Sequence, residues 1–142
     1  MTIKLNTQDV RMLATFQHVT GVNAVDCFIK DGSAYFFVEE DKMSAAIGKG
    51  GSSVKTLRHL LGKPVWLIGW YPDVQDMLKS LIPQVRNVET NNGDITISIS
   101  HQDKRDVIGT AGRNIKILRE ILKRQFKINN LNINYNLDNQ VE

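Results

Sequence analysis

One glycine motif occurs twice in this chain of 142 residues, and it constrains the possible folds more than any other feature. Both copies read Ile-Gly-x-x-Gly-x-x-aliphatic, the first at residues 47–54 and the second at residues 108–115. After each copy, apolar residues recur at the spacing of an amphipathic helix: Val54, Leu57, Leu60 and Leu61, then Ile115, Leu118, Ile121 and Leu122. The chain is therefore predicted to form the same glycine turn, followed by the same kind of helix, twice.

Two glycines around two variable residues suit a tight turn that a ligand can approach closely. Glycine adopts backbone conformations that other residues avoid, and it has no side chain to obstruct a ligand. The unpaired N–H groups at the start of the following helix favour an anion. We therefore predict that both turns bind phosphate; the alternative is a helical corner that uses glycine for geometry alone. The spacing excludes a Walker loop, GxxxxGK[ST], and a GxGxxG dinucleotide fingerprint.

Positive charge is concentrated around the two glycine motifs. Residues 41–68 contain five basic residues and one acidic residue, a net charge of +4. Residues 101–127 contain eight basic and three acidic residues, a net charge of +5. Since the whole chain carries +3, the remaining residues carry −6. This asymmetry predicts a polyanionic partner, although an ordinary solvated helix face explains either segment taken alone.

Several other classes of protein fit the sequence poorly. It has no run of about 18 apolar residues that could span a membrane, and its first residues lack the apolar core of a signal peptide. The single cysteine, Cys27, excludes an internal disulfide framework and suits the cytoplasm; we expect it to be buried. His18, His59 and His101 lie far apart, so no metal site is expected. No catalytic constellation is evident either, and we expect no enzyme, no cofactor and no small-molecule substrate.

The predicted elements follow one order in both halves of the chain. In the first half they are a helix capped at residues 6–9, strands at 25–30 and 34–39 joined by a hairpin turn at Asp31-Gly32-Ser33, and helices at 41–47 and 52–61 followed by a strand at 64–68. In the second half they are a helix at 73–81, strands at 85–90 and 95–100 joined by a hairpin turn at Asn91-Asn92-Gly93-Asp94, helices at 102–108 and 113–124, and a strand at 131–136. The apolar side of the first helix is predicted to comprise Val10, Leu13, Ala14 and Phe16.

The two halves are predicted to be separate domains. Residues 1–68 form the first domain, residues 69–72 a short linker, and residues 73–142 the second domain with a loose tail at 138–142. Trp70 and Tyr71 are expected to pack at the domain junction and to make the pair rigid, because a flexible tether would use Gly and Ser. Trp66, inside an apolar strand, is expected in the core; base stacking is the alternative for all three aromatic residues.

The order α-β-β-α-α-β, with GxxG between the two adjacent helices, resembles the type II KH fold over residues 7–136. Two such units with a four-residue connection resemble the KH pair of the archaeal NusA-like proteins. The resemblance implies an α+β fold in which each of two three-stranded sheets is backed by helices. It also implies a monomeric, non-enzymatic protein that binds single-stranded RNA in transcription elongation or termination, with RNA polymerase as a further partner. A role in translation or ribosome assembly is the alternative.

The KH resemblance also implies which residues contact RNA, since these domains clamp about four nucleotides with the GXXG loop against the backbone. In the first half they are Ile47, Gly48, Lys49, Gly50, Gly51, Ser52, Ser53 and Lys55. In the second half they are Lys104, Arg105, Ile108, Gly109, Thr110, Ala111, Gly112, Arg113, Asn114 and Lys116. The second loop departs from the pattern because neither variable residue is basic. We expect Arg113, assisted by Lys104 and Arg105, to compensate.

Overall fold

The computed structural model describes residues 3–135 and divides the chain into two compact units. One unit spans Lys4–Tyr71 and the other begins at Pro72. Asn136 at the end of the last predicted strand, and the predicted tail at residues 138–142, lie outside the described residues. Within residues 3–135, no helix is both long enough and apolar enough to cross a membrane.

The first unit contains three helices and three strands. In chain order these are α1 (Thr7–Thr20), β1 (Asp26–Lys30), β2 (Ser33–Glu39), α2 (Met43–Ile47), α3 (Ser52–Leu61) and β3 (Val65–Trp70). The N terminus of α1 is fixed by a capping box. The backbone N–H of Asp9 donates to the Asn6 side chain at 2.8 Å, and the backbone N–H of Asn6 donates to the Asp9 carboxylate at 3.2 Å.

The second unit repeats the same order of elements. These are α4 (Val74–Leu81), β4 (Asn87–Asn91), β5 (Asp94–Ser98), α5 (Lys104–Ile108), α6 (Arg113–Phe126) and β6 (Asn130–Asn134). Asp73 caps α4 by accepting from the backbone N–H of Asp76 at 3.3 Å. The α-β-β-α-α-β order predicted for both halves is therefore confirmed.

Each unit has one mixed sheet of three strands, and the two sheets have the same topology. The first two strands form an antiparallel hairpin, and the third lies parallel to the second, which is therefore central. The hairpin turns have positive φ at both central residues, 49° and 79° at Asp31-Gly32 and 47° and 87° at Asn92-Gly93. Such turns match the right-handed twist of the strands, which explains why these dipeptides were reliable hairpin signals.

Helices cover one face of each sheet, so the predicted α+β class is confirmed. In the first unit Phe16 of α1 stacks on Phe36 of β2, with ring centroids 4.6 Å apart, and buried Leu57 of α3 joins the same core. Cys27 is buried in this core, as expected. In the second unit, the corresponding core is aliphatic and consists mainly of Ile, Leu and Val from α4, β5, α5 and α6.

The prediction for the buried side of α1 was partly wrong. Val10 is 53% exposed and Ala14 is also exposed, whereas Met12 and Phe16 are buried and Leu13 packs partly against the core. Met12 and Phe16 lie four residues apart and therefore on one stripe of the helix. The packing of α1 against the sheet and α3 determines which side of the helix is buried. The local hydrophobic pattern alone did not identify that side.

The predicted linker was wrong at its first two positions. Gly69 and Trp70 continue β3, where they pair with Val38 and Glu39 of β2. The strand therefore ends four residues before α4 begins, with Tyr71, Pro72 and Asp73 between them. Glycine next to tryptophan favours a loop when only the local sequence is considered. The length of the neighbouring strand β2, however, determines how many residues of β3 can pair with it.

Trp66 was wrongly predicted to be a core residue. It is 47% exposed, whereas its neighbours Val65 and Leu67 pack in the core of the first unit. Successive side chains of a strand point to opposite faces, so Trp66 lies on the face opposite to that of Val65 and Leu67. Other boundaries differ by a few residues: β4 begins at Asn87 and α6 continues to Phe126.

Candidate nucleic-acid interface

Both glycine motifs form the same corner, between α2 and α3 and between α5 and α6. The first glycine has φ and ψ of 78° and 166° in Gly48, and 79° and 171° in Gly109. The last glycine has φ of 77° in Gly51 and 74° in Gly112, and it opens the following helix. Because all four φ values lie where other residues are strained, the backbone itself requires glycine at these positions.

The first glycine of each corner is also required by close packing. A β-carbon on Gly48 would lie 2.6 Å from Oγ of Ser53 and 2.9 Å from its backbone nitrogen. A β-carbon on Gly109 would lie 2.7 Å from Cγ of Asn114. The first turn of the following helix therefore passes directly beside the glycine, which fixes the angle between the two helices.

Only part of the loop backbone is available to a ligand. The N–H groups of Gly48 and Gly51 donate to Ser44 and Gly48 at 3.1 Å each, and that of Ser52 donates to Lys49. Within residues 3–135, this leaves the N–H groups of Lys49 and Gly50 as the donors that the first loop can offer. The second loop has the same pattern, in which the N–H groups of Gly109, Gly112 and Arg113 are engaged and those of Thr110 and Ala111 remain.

Asn114 links the two helices of the second corner. Its side-chain Nδ2 donates to the backbone carbonyl of Asp106 in α5 at 2.9 Å. The sequence suggested Asn114 as an open donor for RNA, but at least one of its N–H groups is committed to this contact. Ser53 holds the equivalent position beneath Gly48, so both residues shape the corner.

The first loop presents its positive charge directly to solvent. Lys49, Ser52 and Lys55 are all exposed, on the loop and on the first turn of α3. Ile47, at the end of α2, is 39% exposed and offers an apolar surface beside the loop. Its counterpart Ile108 instead packs partly against the core of the second unit. The apolar surface that was predicted to contact RNA is therefore open to solvent at Ile47 in the first unit and smaller at Ile108 in the second.

The second loop borders a depression of about 610 Å³. It is lined by Arg105, Asp106, Gly109, Thr110, Arg113 and Asn114. The structure therefore places Arg105 and Arg113 together at the second loop, where they were expected to compensate for its lack of a basic residue. Lys104 is directed elsewhere, with Nζ 5.0 Å from the centre of the Tyr135 ring, an arrangement typical of a cation–π contact. Asp106, which the sequence did not single out, contributes to the lining.

Further basic residues extend along α6 beyond the predicted set. Exposed Arg119 and Lys123 follow the predicted Lys116 at intervals of three and four residues, which places the three on one side of the helix. The first unit has the same start of this series, since Lys55 and Arg58 follow Gly51 at the spacing with which Lys116 and Arg119 follow Gly112. The sequence signal for this series is that basic residues follow the last glycine at the same spacing in both units. A count of charges alone does not reveal that spacing.

The described residues contain no group of three or more His, Cys, Asp or Glu side chains that could hold a metal ion. The two corners offer exposed cations and backbone amides. Together they can bind an anion such as a phosphate group.

Known proteins provide an independent comparison. No family model matches the chain. A protein of Halobacterium salinarum named "Probable transcription termination protein NusA" is 33% identical over 138 residues, covering 94% of this chain and 99% of the relative. A protein of Methanocaldococcus jannaschii with the same name is 29% identical over 137 residues, covering 92% and 75%. The crystal structure of APE1850 is 31% identical, with a TM-score of 0.79 over 91% of this chain and 99% of that chain.

Proposed function

The chain belongs to the family of archaeal NusA-like proteins, and from this premise we propose that it binds single-stranded RNA during transcription elongation or termination. We assign the unit Lys4–Tyr71 and the unit that begins at Pro72 to two type II KH domains. The order of elements, the mixed three-stranded sheet and the GxxG corner between the second and third helices of each unit support this assignment.

The observation that carries the proposal is that two corners with the same backbone geometry occur beside exposed cations. Among the residues that the structure describes, each corner leaves two N–H groups without a partner, and each is followed by a helix with a lysine four residues after the last glycine. RNA phosphates accept hydrogen bonds from such amides and are attracted to the lysine ammonium groups. We assign the RNA contacts to the loop residues and to Lys55, Arg105, Arg113 and Lys116, while Lys104 has a lesser role because of its contact with Tyr135.

The preferred ligand follows from how KH domains recognise nucleic acid. Sequence-specific recognition of RNA needs unstacked bases, whose edges are hidden in a duplex. We therefore expect tighter binding to single-stranded RNA than to duplex DNA or duplex RNA. Fluorescence anisotropy with labelled oligonucleotides of equal length measures this directly, and equal or tighter binding to a duplex would refute the proposal.

The salt dependence of binding provides a second check. If Z phosphates of a single strand are neutralised, log affinity falls with log salt with a slope near about −0.7Z. The exposed cations at both corners predict a clearly negative slope, and binding that does not respond to salt would contradict the assignment of phosphate contacts to these residues.

We propose RNA polymerase as the protein partner, and we expect no enzymatic activity. Affinity purification of the tagged chain from its native cell, after RNase treatment, tests this. Recovery of polymerase subunits supports a role in transcription. Recovery of ribosomal subunits without polymerase would instead favour a role in translation or ribosome assembly.

A further inference from the structure

A second polar depression, of about 450 Å³, lies beside α6 and β6. It is lined by Asp94, Arg119, Asn129, Asn130, Leu131 and Asn132. None of these residues belongs to the GxxG loop. Its volume falls within the range of small-molecule sites, roughly 300–1,000 Å³, so a nucleotide fits by size.

The depression is joined to the second loop by a line of positive charge. Arg119 is on α6 two turns after the loop residue Gly112, and exposed Lys116 lies between them. A helix rises about 1.5 Å per residue, so Arg119 is only about 10 Å along the helix from Gly112. An RNA strand bound at the loop can therefore extend to this depression within a few nucleotides.

The lining favours a nucleobase over a phosphate. Besides the Arg119 guanidinium, it contains three side-chain amides, each of which offers a donor and an acceptor, and one carboxylate, which only accepts. The Asp94 carboxylate would repel a phosphate placed beside it. A base edge, in contrast, presents donors and acceptors together.

The Asp94 carboxylate determines which type of nucleobase the depression can accept. Its Oδ1 accepts from Nδ2 of Asn130 at 2.7 Å, which holds the carboxylate in place between the first residues of β5 and β6. Within residues 3–135, Oδ2 has no hydrogen-bond donor, so it is available to one from the ligand. Cytosine, adenine and guanine carry an exocyclic amino group that can donate to it. Uracil offers a single N3–H between two carbonyl oxygens that the carboxylate repels.

We propose that this depression binds one RNA base that carries an exocyclic amino group, with Asp94 as the acceptor and Arg119 on an adjacent phosphate. Asn129 and Asn132 complete the contacts to the base edge. This inference rests on the proposed function, because the base reaches the depression as part of an RNA strand held at the second corner.

Cytidine and uridine octamers provide the matched test, because the two pyrimidines have similar size and differ on the edge that Asp94 would read. Wild-type protein is expected to bind the cytidine octamer at least about fivefold more tightly. Asp94→Asn keeps the shape of the side chain but adds a donor suited to the uracil carbonyl, and it is expected to bring the ratio of the two affinities towards one.

Glu89→Gln is the matched control for Asp94→Asn. It removes the same charge from the same sheet, and Glu89 likewise accepts from an asparagine, with Nδ2 of Asn87 at 3.3 Å from Oε1. Loss of a negative charge should raise the affinity of both variants for RNA in general, but only Asp94→Asn also loses the acceptor for the amino group and should change the ratio. Arg119→Gln should weaken both octamers equally and make the salt slope less negative by about 0.7, the value for one phosphate.

The outcomes separate this inference from the proposed function. If wild type binds both octamers with no preference, or if Asp94→Asn leaves the ratio unchanged, the base site is refuted while RNA binding stands. If wild type binds no single-stranded RNA, both are refuted. Circular dichroism of each variant verifies the fold, and NMR shifts of the Asn129 and Asn132 side-chain amides on adding the cytidine octamer test the site in the wild-type protein.

Discussion

At the scale of single residues, the two glycine corners differ in backbone strain at Gly50 and Ala111. Both have left-handed backbone conformations, with φ of 63° and 53°. Such a conformation costs a residue with a β-carbon roughly 1–2 kcal/mol, and glycine avoids this cost. A β-carbon on Gly50 would meet no atom of the protein within 4 Å, so the two positions differ in conformational strain and not in packing.

Exchanging these two residues should change stability in opposite directions. Gly50→Ala is expected to lower the free energy of unfolding by about 0.5–1 kcal/mol, because the strain exceeds the reduction in unfolded-state entropy. Ala111→Gly is expected to raise it by a similar amount for the same reason. Urea denaturation followed by circular dichroism measures both, and changes of the same sign in the two variants would contradict the explanation.

Replacing both Lys49 and Gly50 by Asp should weaken RNA binding sharply. The change places two carboxylates at the N–H groups that the first loop offers to a phosphate. Asp is among the residues that tolerate a left-handed conformation best, so the fold should persist. Anisotropy with single-stranded RNA measures the loss, and thermal melting verifies the fold.

Lys79→Asp is the control for this charge reversal. Lys79 is an exposed lysine of α4 and lies outside both corners. It should affect RNA affinity only slightly. If a folded Lys49/Gly50 variant bound RNA as tightly as wild type, the first loop would have no role.

The sequence predicted the glycine requirement of the corners well but not the roles of their neighbours. The left-handed conformations follow from the motif, because few other residues adopt them. The contact from Asn114 to the Asp106 carbonyl and the contact of Lys104 with Tyr135 join positions 8 and 31 residues apart. Such partners depend on how the elements pack, which local patterns do not encode.

At the scale of elements, the edge strands β3 and β6 are equivalent, and they expose different chemistry. Val65 pairs with Ala34 of the central strand, and Leu131 pairs with Ile95 in the same way. The next residues, Trp66 and Asn132, therefore occupy corresponding positions, an indole in one unit and an amide in the other. Asn132 lines the depression beside α6, so the exposed indole of Trp66 is expected to contact RNA in the first unit.

Single-stranded RNA should quench the fluorescence of Trp66 if a base stacks on it. A Trp70→Phe background leaves Trp66 as the one tryptophan of the chain, which contains two in all. Quenching should saturate with the same affinity as anisotropy. Trp66→Phe should keep most of that affinity, while Trp66→Ala should lower it several-fold, since base stacking contributes about 1–3 kcal/mol per base.

The controls for Trp66 follow from its exposure. Because the side chain lies outside the core, Trp66→Ala should cost less stability than the roughly 3–5 kcal/mol of a core aromatic truncation. An unchanged emission spectrum at saturating RNA would exclude stacking at this position.

Element order was more predictable than element boundaries. Asp31-Gly32 and Asn92-Gly93 identified both hairpins because their turns need positive φ, and helical spacing identified α3 and α6. The end of β3 and the buried side of α1 were not predictable in this way. Both depend on the neighbouring strand or helix, whose position the local sequence does not specify.

At the scale of the whole molecule, the connection between the units is shorter than the sequence indicated. Three residues, Tyr71, Pro72 and Asp73, join the end of β3 to the start of α4. If one RNA strand engages both corners, the second contact forms at the high effective concentration that a short connection gives.

Inserting about six Gly/Ser residues after Tyr71 should therefore weaken binding of a long RNA several-fold, because effective concentration falls as a linker lengthens. Affinity for a four-nucleotide RNA, which one KH domain can hold, should hardly change. Insertion after Gly69 is unsuitable because it would interrupt β3. Equal affinities of the inserted and wild-type proteins for long RNA would show that the two corners act independently.

The backbone of the two corners has a consequence for how such a protein can evolve. Their shape depends on the glycines and on the residues beneath them, Ser53 and Asn114, while the two central positions of each loop are exposed. Mutations at those central positions can therefore change charge and affinity without rebuilding the corner. After a duplication, one copy of the loop can keep a lysine while the other changes to Thr110-Ala111. Natural selection can therefore adjust the RNA affinity of each loop separately while both keep the same backbone.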